Sequence, residues 1–407
     1  MEVTKTFTME DKQNIKGWME GFPPSEDKII SIDRGNHYDW PQLRWTFSNI
    51  QQLAPTKTIW RGPGAAHPLE LTDVGLDKLS VKTLNAQDLT WQEALEATET
   101  DGLGIFHKGK LVHETYRGEC GPHKTHLIMS CAKSYAGVLA EMMIDEGALD
   151  ENALIPHYLP ELSGTAWKDA SLRQVMDMLI GMEFHEDYLD PGSDVWRYLR
   201  AGGMVLGKPA KGEPAHLAAY LETVKKQGDH GKAFAYREPN INVLTFVIQR
   251  VANQDLRNLV SQRLWQHMGA EHDGFYMVDP AGCSTTSGCT LRDFLRFGEL
   301  MRTGGEYGTV DTAILDRIVA GGDPALFAKA QYPESIMKGW SYKSQWWIRH
   351  KDDGNAAFAR GAHGQLLCID PANELVIARF GSSKLSPGYL NDLVMMPMID
   401  AITAYLK

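Results

Sequence analysis

His126-Leu127-Ile128-Met129-Ser130-Cys131-Ala132-Lys133-Ser134 joins a polar stretch, Cys120-Gly121-Pro122-His123-Lys124-Thr125-His126, to an apolar run from Tyr135 through Glu146 that Gly147 ends. The run reads as a long helix whose start carries Ser130 and Lys133. Residues three apart share a helix face, so a hydroxyl and an amine lie side by side there. Amide dipoles at a helix N-terminus favour negative charge, whether on an alkoxide or on the oxyanion that follows its attack. Apolar surroundings withhold water from the amine and favour its neutral, proton-accepting form. Spacing alone singles out nothing, because Ser25-Glu26-Asp27-Lys28 and Ser335-Ile336-Met337-Lys338 repeat it. The first follows Pro23-Pro24 in a charged arm, the second sits in a loop-like stretch before Trp340, and neither begins a long apolar helix.

The whole chain sets the frame for that helix. Its 407 residues, 43% hydrophobic and 23% charged with 38 Gly and 19 Pro, describe a folded chain long enough for two cores or one composite core. The net charge of −11 is spread without a basic stripe, which makes nucleic acid and anionic membrane poor partners. No window approaches the ~20 apolar residues of a spanning helix. The N-terminal Met1-Glu2-Val3-Thr4-Lys5 leads into charged residues, so the expected location is cytoplasmic. Cys120, Cys131, Cys283, Cys289 and Cys368 are scattered and odd in number, which suits reduced thiols better than a disulfide framework. Cys120, His123 and His126 have no second ligand pair at zinc spacing, so neither a metal nor a cofactor is expected.

Along the chain, residues 1–65 read as an irregular arm whose Trp18, Trp40, Trp45 and Trp60 pack across the body. Leu103–His107 and Lys110–Tyr116, joined by Lys108-Gly109, read as a hairpin. Residues 160–283 read as a helical domain, with helices over Ser171–Leu179 and Asn242–Val251. Strands return at Ser344–Ile348, Gly364–Ile369 and Leu375–Phe380, and Pro397 bends or interrupts a last helix over Leu390–Leu406. The fold class is therefore α/β (α+β): an antiparallel sheet domain, 66–159 plus 284–407, flanked by helices and built from both ends of the chain around a helical insertion.

Three ordered segments carry a resemblance: His126 to Ser134, then Phe234-Ala235-Tyr236-Arg237-Glu238-Pro239-Asn240, then Ala359-Arg360-Gly361-Ala362-His363-Gly364-Gln365. They resemble the boxes of the penicillin-recognising serine hydrolases, of β-lactamase/transpeptidase-like fold. Within that group they are most similar to the branch of 6-aminohexanoate-dimer hydrolases and related carboxylesterases. Leu43-Arg44-Trp45-Thr46-Phe47, Glu186-Asp187-Tyr188-Leu189-Asp190-Pro191, Cys289-Thr290-Leu291-Arg292-Asp293 and Ser341-Tyr342-Lys343-Ser344-Gln345-Trp346-Trp347 extend the likeness over most of the chain.

The resemblance implies Ser130 as the acylated nucleophile, Lys133 as its proton acceptor and Tyr236 as the phenol relaying protons to the leaving group. It implies an oxyanion hole from the backbone N–H groups of Ser130 and Ala362, with Gly361 allowing close approach. Tyr188 matches a tyrosine that hydrogen-bonds near the scissile nitrogen in amide-cleaving members. Asn240 is either a substrate contact or the N-cap of the next helix. His363 is either substrate-facing or a structural histidine, and Trp346 and Trp347 are pocket walls or core.

Departures from the family pattern bear on substrate. Ala359 stands where penicillin-binding relatives begin the third box with Lys, and the Arg360 side chain should alternate to the other face. Glu238 replaces the usual Asn or Ser of the second box. Leu199, flanked by Arg197 and Arg200, occupies the position of an acidic residue that helps hold a substrate ammonium. The expected function is hydrolysis of small linear amides or esters through an acyl-enzyme at Ser130, with β-lactams disfavoured. Acyl transfer from the same intermediate and a non-hydrolytic penicillin-binding-type sensor are the alternatives, and a homodimer is compatible with the sequence.

Overall fold

The computed structural model describes residues 17–205, 209, 211–305 and 309–407, so the first sixteen residues of the arm lie outside them. Its strands are β1 (Thr56–Ile59), β2 (Ser80–Lys82), β3 (Asp88–Thr90), β4 (Thr100–His107), β5 (Lys110–Tyr116), β6 (His126–Met129), β7 (Gly274–Val278), β8 (Ser284–Cys289), β9 (Ser341–Lys343), β10 (Trp346–Arg349), β11 (Ala356–Gly361), β12 (Gln365–Asp370) and β13 (Leu375–Gly381). The main sheet runs β5-β4-β13-β12-β11-β10-β9, every pair antiparallel. The early hairpin thus pairs with the last strand of the chain, β4 against β13, as expected of a sheet closed from both ends.

Both faces of this sheet are covered, which explains why its strands read as nearly unbroken apolar runs. Side chains alternate along each strand. Ala357, Ala359, Leu367, Ile369, Val376 and Ala378 enter the core shared with the helices Lys133–Asp145 and Leu291–Thr303. Phe358, Leu366, Cys368, Leu375 and Ile377 point to the opposite face, against the helices Trp91–Ala97 and Asp392–Leu406. Each large apolar side chain that these helices bury contributes roughly 1.5–3 kcal/mol relative to exposure. The last helix continues through Pro397, whose neighbours Met396 and Met398 are buried against the sheet. Tertiary packing there outweighs the missing hydrogen bond.

A second sheet, β1-β7-β8-β6, corrects the domain boundaries read from sequence. β7 lies inside the stretch taken as helical, and β1 lies inside the arm, paired with β7 residue by residue. Phe275, Tyr276 and Met277 form a run too short for periodicity to distinguish strand from helix. Apart from β7, the regular elements among the described residues of the middle stretch are helices joined by loops. Its helix Pro239–Ala252 packs on Lys133–Asp145 and on Leu172–Met176, which opens with a Ser171–Gln174 capping box. The site lies at this seam between helices and sheet.

The matching Leu43–Phe47 stretch serves architecture. Arg44 Nη2 donates to Asp101 Oδ1 at 2.6 Å, and Asp101 also faces His126 Nε2 at 3.4 Å, fastening the helix Gln42–Asn49 and β6 to β4. His126 stacks on Phe380, whereas His123 faces His272 at 3.3 Å. Among the described residues no group of three His, Cys, Asp or Glu is placed to hold a metal ion, and no helix is long and apolar enough to cross a membrane.

Candidate active site

β6 delivers the chain to Ser130 through a strained hinge. Met129 has φ +48° and ψ −133°, a conformation costly for a residue with a Cβ. It is held there by Thr286 Oγ1, which donates to the Met129 carbonyl at 3.0 Å. The reversal turns Ser130 out of the sheet into a short 3-10 turn, Ser130–Ala132, and the long helix Lys133–Asp145 follows at once. That helix begins two residues earlier than its apolar run. Ser130 is half-buried and Lys133 is buried.

Lys133 Nζ lies 2.8 Å from Ser130 Oγ. It also lies 2.8 Å and 2.9 Å from the two carboxylate oxygens of Glu238, a residue whose chemistry the sequence reading left unassigned. The amine is therefore not in purely apolar surroundings. Ser130 Oγ in turn reaches Glu238 Oε1 at 3.4 Å. The Tyr236 hydroxyl is within hydrogen-bonding reach of Ser130, and its ring stands over Lys133 Nζ at 5.2 Å. Burial first, and then the Glu238 charge, push the Tyr236 phenol well above the usual tyrosine range, so it acts as a neutral hydroxyl near pH 7.

A second carboxyl backs the first. Glu186 Oε2 accepts the backbone N–H of Glu238 at 2.8 Å, and Tyr188 Oη donates to Glu186 Oε1 at 3.4 Å. Burial and the nearby Glu238 charge push Glu186 up to about 8, so it carries a proton at neutral pH. Tyr188 thus reaches the centre through Glu186, and its ring packs edge-on to Trp196.

β11 closes the site opposite. A side chain at Gly361 would run into the Ile128 carbonyl at 2.6 Å and the Met129 Cβ at 3.1 Å, so only glycine lets β11 lie against the nucleophile turn. Beyond it, Ala362-His363-Gly364 forms a three-residue hairpin loop to β12.

Residues 91–392 match the beta-lactamase family. The chain belongs to that family. It is 32% identical over 348 residues to a 6-aminohexanoate-dimer hydrolase of Paenarthrobacter ureafaciens, covering 84% of this chain and 86% of that one. A Bacillus anthracis structure described as a candidate 6-aminohexanoate-dimer hydrolase superposes with a TM-score of 0.83 at 26% identity, covering 94% and 98% of the two chains. A hydrolase with promiscuous acyltransferase activity shares the fold at a TM-score of 0.58 and 16% identity, covering 77% and 96%. Together these make the chain a serine hydrolase of the beta-lactamase fold.

The remaining boxes of this beta-lactamase family member divide between chemistry and architecture. Asn240 is fully buried, accepting from Trp167 Nε1 at 2.9 Å and donating to Met178 Sδ at 3.4 Å, so its side chain is turned into the helical core. It is not the N-cap either: Glu238 holds that position, with Pro239 in the first turn. Trp347 stacks on Tyr236, centroids 5.5 Å apart, whereas Trp346 points through the sheet onto Phe297. His363, at φ +60°, donates from Nδ1 to the Ser383 carbonyl at 2.7 Å and stacks on Tyr38. Burial holds its imidazole below the usual histidine range, in the neutral form. Arg360 turns away from Ala359, as alternation requires, and binds both oxygens of Asp392 at 2.7–2.8 Å. Thr290 and Asp293 cap the helix Leu291–Thr303, where Asp293 also accepts the backbone N–H groups of Glu271 and His272.

Glu238 and Glu186 are the functional candidates that spacing rules pass over. The available signal was the carboxylate two residues after Tyr236, in a box that otherwise carries Asn or Ser.

Proposed function

We propose that this protein hydrolyses small linear amides or esters through an acyl-enzyme at Ser130. The observation that carries this reading is the 2.8 Å contact between Lys133 Nζ and Ser130 Oγ, with the neutral Tyr236 hydroxyl in reach of the same oxygen. Ser130 attacks the carbonyl carbon, and its proton leaves through Lys133. The N–H groups of Ser130 and Ala362 receive the oxyanion. Tyr236 hands a proton to the departing amine or alcohol, and water then repeats the sequence to release the acid.

The substrate class follows from what faces the nucleophile. Ala359 is buried in the core and Arg360 is committed to Asp392, so the third box presents no cation to the carboxylate of a β-lactam. The ring of Trp347 beside Tyr236 suits an apolar linear chain. The relation to a protein named 6-aminohexanoate-dimer hydrolase favours linear amides among these. The five thiols, all unpaired in the structure, suit a cytoplasmic setting.

A substrate panel tests the reading. Turnover of p-nitrophenyl esters and of 6-aminohexanoate dimer, with little of a chromogenic cephalosporin, is expected. A fluorophosphonate should add to Ser130, as located by mass spectrometry. Turnover retained by a folded Ser130→Ala variant overturns it, and product analysis with an added alcohol separates hydrolysis from acyl transfer.

A further inference from the structure

We propose that Glu238 is the terminal proton acceptor of acylation, with Lys133 as the cation that takes the Ser130 proton and passes one of its own to Glu238. The inference rests on the acyl-enzyme reading above and adds a catalytic residue to it.

The argument is one of donors and acceptors. An ammonium has three N–H donors and no lone pair. Lys133 Nζ has three acceptors in reach, Ser130 Oγ, Glu238 Oε1 and Glu238 Oε2, at 2.8, 2.8 and 2.9 Å. Donating to all three, it cannot take a proton from Ser130 without first giving one up. Glu238 is the acceptor placed to receive that proton. Ser130 Oγ itself lies 3.4 Å from Glu238 Oε1, longer than a made O–H···O bond but in the range of a catalytic contact that tightens with substrate.

The position of Glu238 is imposed rather than incidental. Its backbone N–H is held by Glu186, and Pro239 opens the helix behind it. Besides Lys133 from the nucleophile helix, it faces Glu186 and Tyr188 from the loop before Trp196, Tyr198 from the helix Asp194–Ala201, Tyr342 from β9, and its own neighbour Tyr236, while the adjacent Arg237 acts on Glu186. Because Glu186 is protonated at neutral pH, two like charges are not forced together.

In the step, the bond from Ser130 Oγ to the carbonyl carbon forms as the O–H bond breaks. The carbonyl π pair moves to the oxyanion. Lys133 receives the serine proton as one of its own passes to Glu238, so the amine stays an ammonium and the carboxylate becomes a carboxylic acid. On collapse the carbon–leaving-group bond breaks, Tyr236 protonates the leaving group, and the Glu238 proton returns through Lys133 to Tyr236. Water replaces the leaving group and sends its proton along the same route.

The test compares wild type, E238Q and E238D in fluorophosphonate labelling rate and in kcat/KM for p-nitrophenyl acetate across pH. E238Q keeps the size and hydrogen-bonding shape but cannot take the proton. It should lose about 100-fold or more in both rates, together with the acidic limb of the wild-type profile, whereas E238D keeps that limb at a reduced rate. A folded E238Q that loses less than about tenfold, or keeps the limb, overturns the proposal. Should E238Q fail to fold, judged by circular dichroism, the wild type and E238D decide. A labelling rate in both that falls with acidification supports the assignment, and one that stays flat down to the pH at which the fold is lost overturns it. Absence of labelling in the wild type would instead remove the acyl-enzyme reading on which this inference stands.

Discussion

Tyr236 and Trp347 stack with ring centroids 5.5 Å apart and planes 27° from parallel, although 111 residues separate them in sequence. Trp347 meets Tyr332, Tyr342, Phe234 and Phe327 edge-on as well, so a continuous aromatic wall supports the Tyr236 ring. Trp346 faces the opposite side of the sheet. Trp347→Ala is therefore expected to lower kcat and raise KM by loosening Tyr236. Trp346→Ala should cost about 3–5 kcal/mol of stability with a smaller kinetic change, as read by urea unfolding beside steady-state assays.

Removing the phenolic hydroxyl should discriminate between leaving groups. An amine must be protonated to depart, whereas p-nitrophenolate departs readily without a proton. Tyr236→Phe is expected to reduce amide turnover about 100-fold or more and p-nitrophenyl ester turnover much less. Comparing kcat for 6-aminohexanoate dimer and p-nitrophenyl acetate in the two proteins checks this. Equal losses would place Tyr236 in serine activation instead.

The nucleophile helix is docked against a turn. Gly137 meets the Ser344 carbonyl so closely that a methyl group does not fit, and Ser344 and Gln345 both hold left-handed backbone conformations there. Gln345 Nε2 donates to the Met176 carbonyl at 2.8 Å, and Ser134 Oγ donates to the Gln345 carbonyl at 3.0 Å. The obstacle is backbone, so it cannot swing aside. Gly137→Ala should destabilise by about 1–3 kcal/mol, seen as a lower denaturation midpoint, and should reduce activity by displacing Lys133.

Glu186 makes stability depend on pH. Its carboxyl is raised in the folded protein from 4.5 to about 8, so between those values the folded state binds a proton that the unfolded chain releases. Its contribution is fully present below about pH 4.5 and is lost as pH rises through about 8. Glu186→Gln should flatten the fall in melting temperature across that interval. A wild-type profile unchanged by the substitution would show that another group sets the slope.

Much of this architecture was legible locally. Lys108-Gly109 between alternating strands marked the β4–β5 hairpin, and the apolar run from Tyr135 marked the helix behind Ser130. Ser344–Ile348 reads as one strand, but Ser344-Gln345 is the turn that follows β9, and only Trp346 onward belongs to β10. Its reversal at Ser344-Gln345 uses neither glycine nor proline, and contacts with Gly137 and Met176 hold it in place. The Met129 hinge was invisible for the same reason, because its strain is held by Thr286 from another strand.

The antiparallel sheet built from both chain ends, the position of Ser130 and Lys133 at a helix start, and the three boxes in order can all be read along the chain. These depend on periodicity and near neighbours, which a linear reading contains. Long-range packing turns Asn240 into the core, pairs Arg360 with Asp392, stacks Trp347 rather than Trp346 on Tyr236, and closes Glu238 on Lys133 across 105 residues. Which partner a polar side chain finds depends on which faces pack together, and long-range pairing settles that after the local elements have formed.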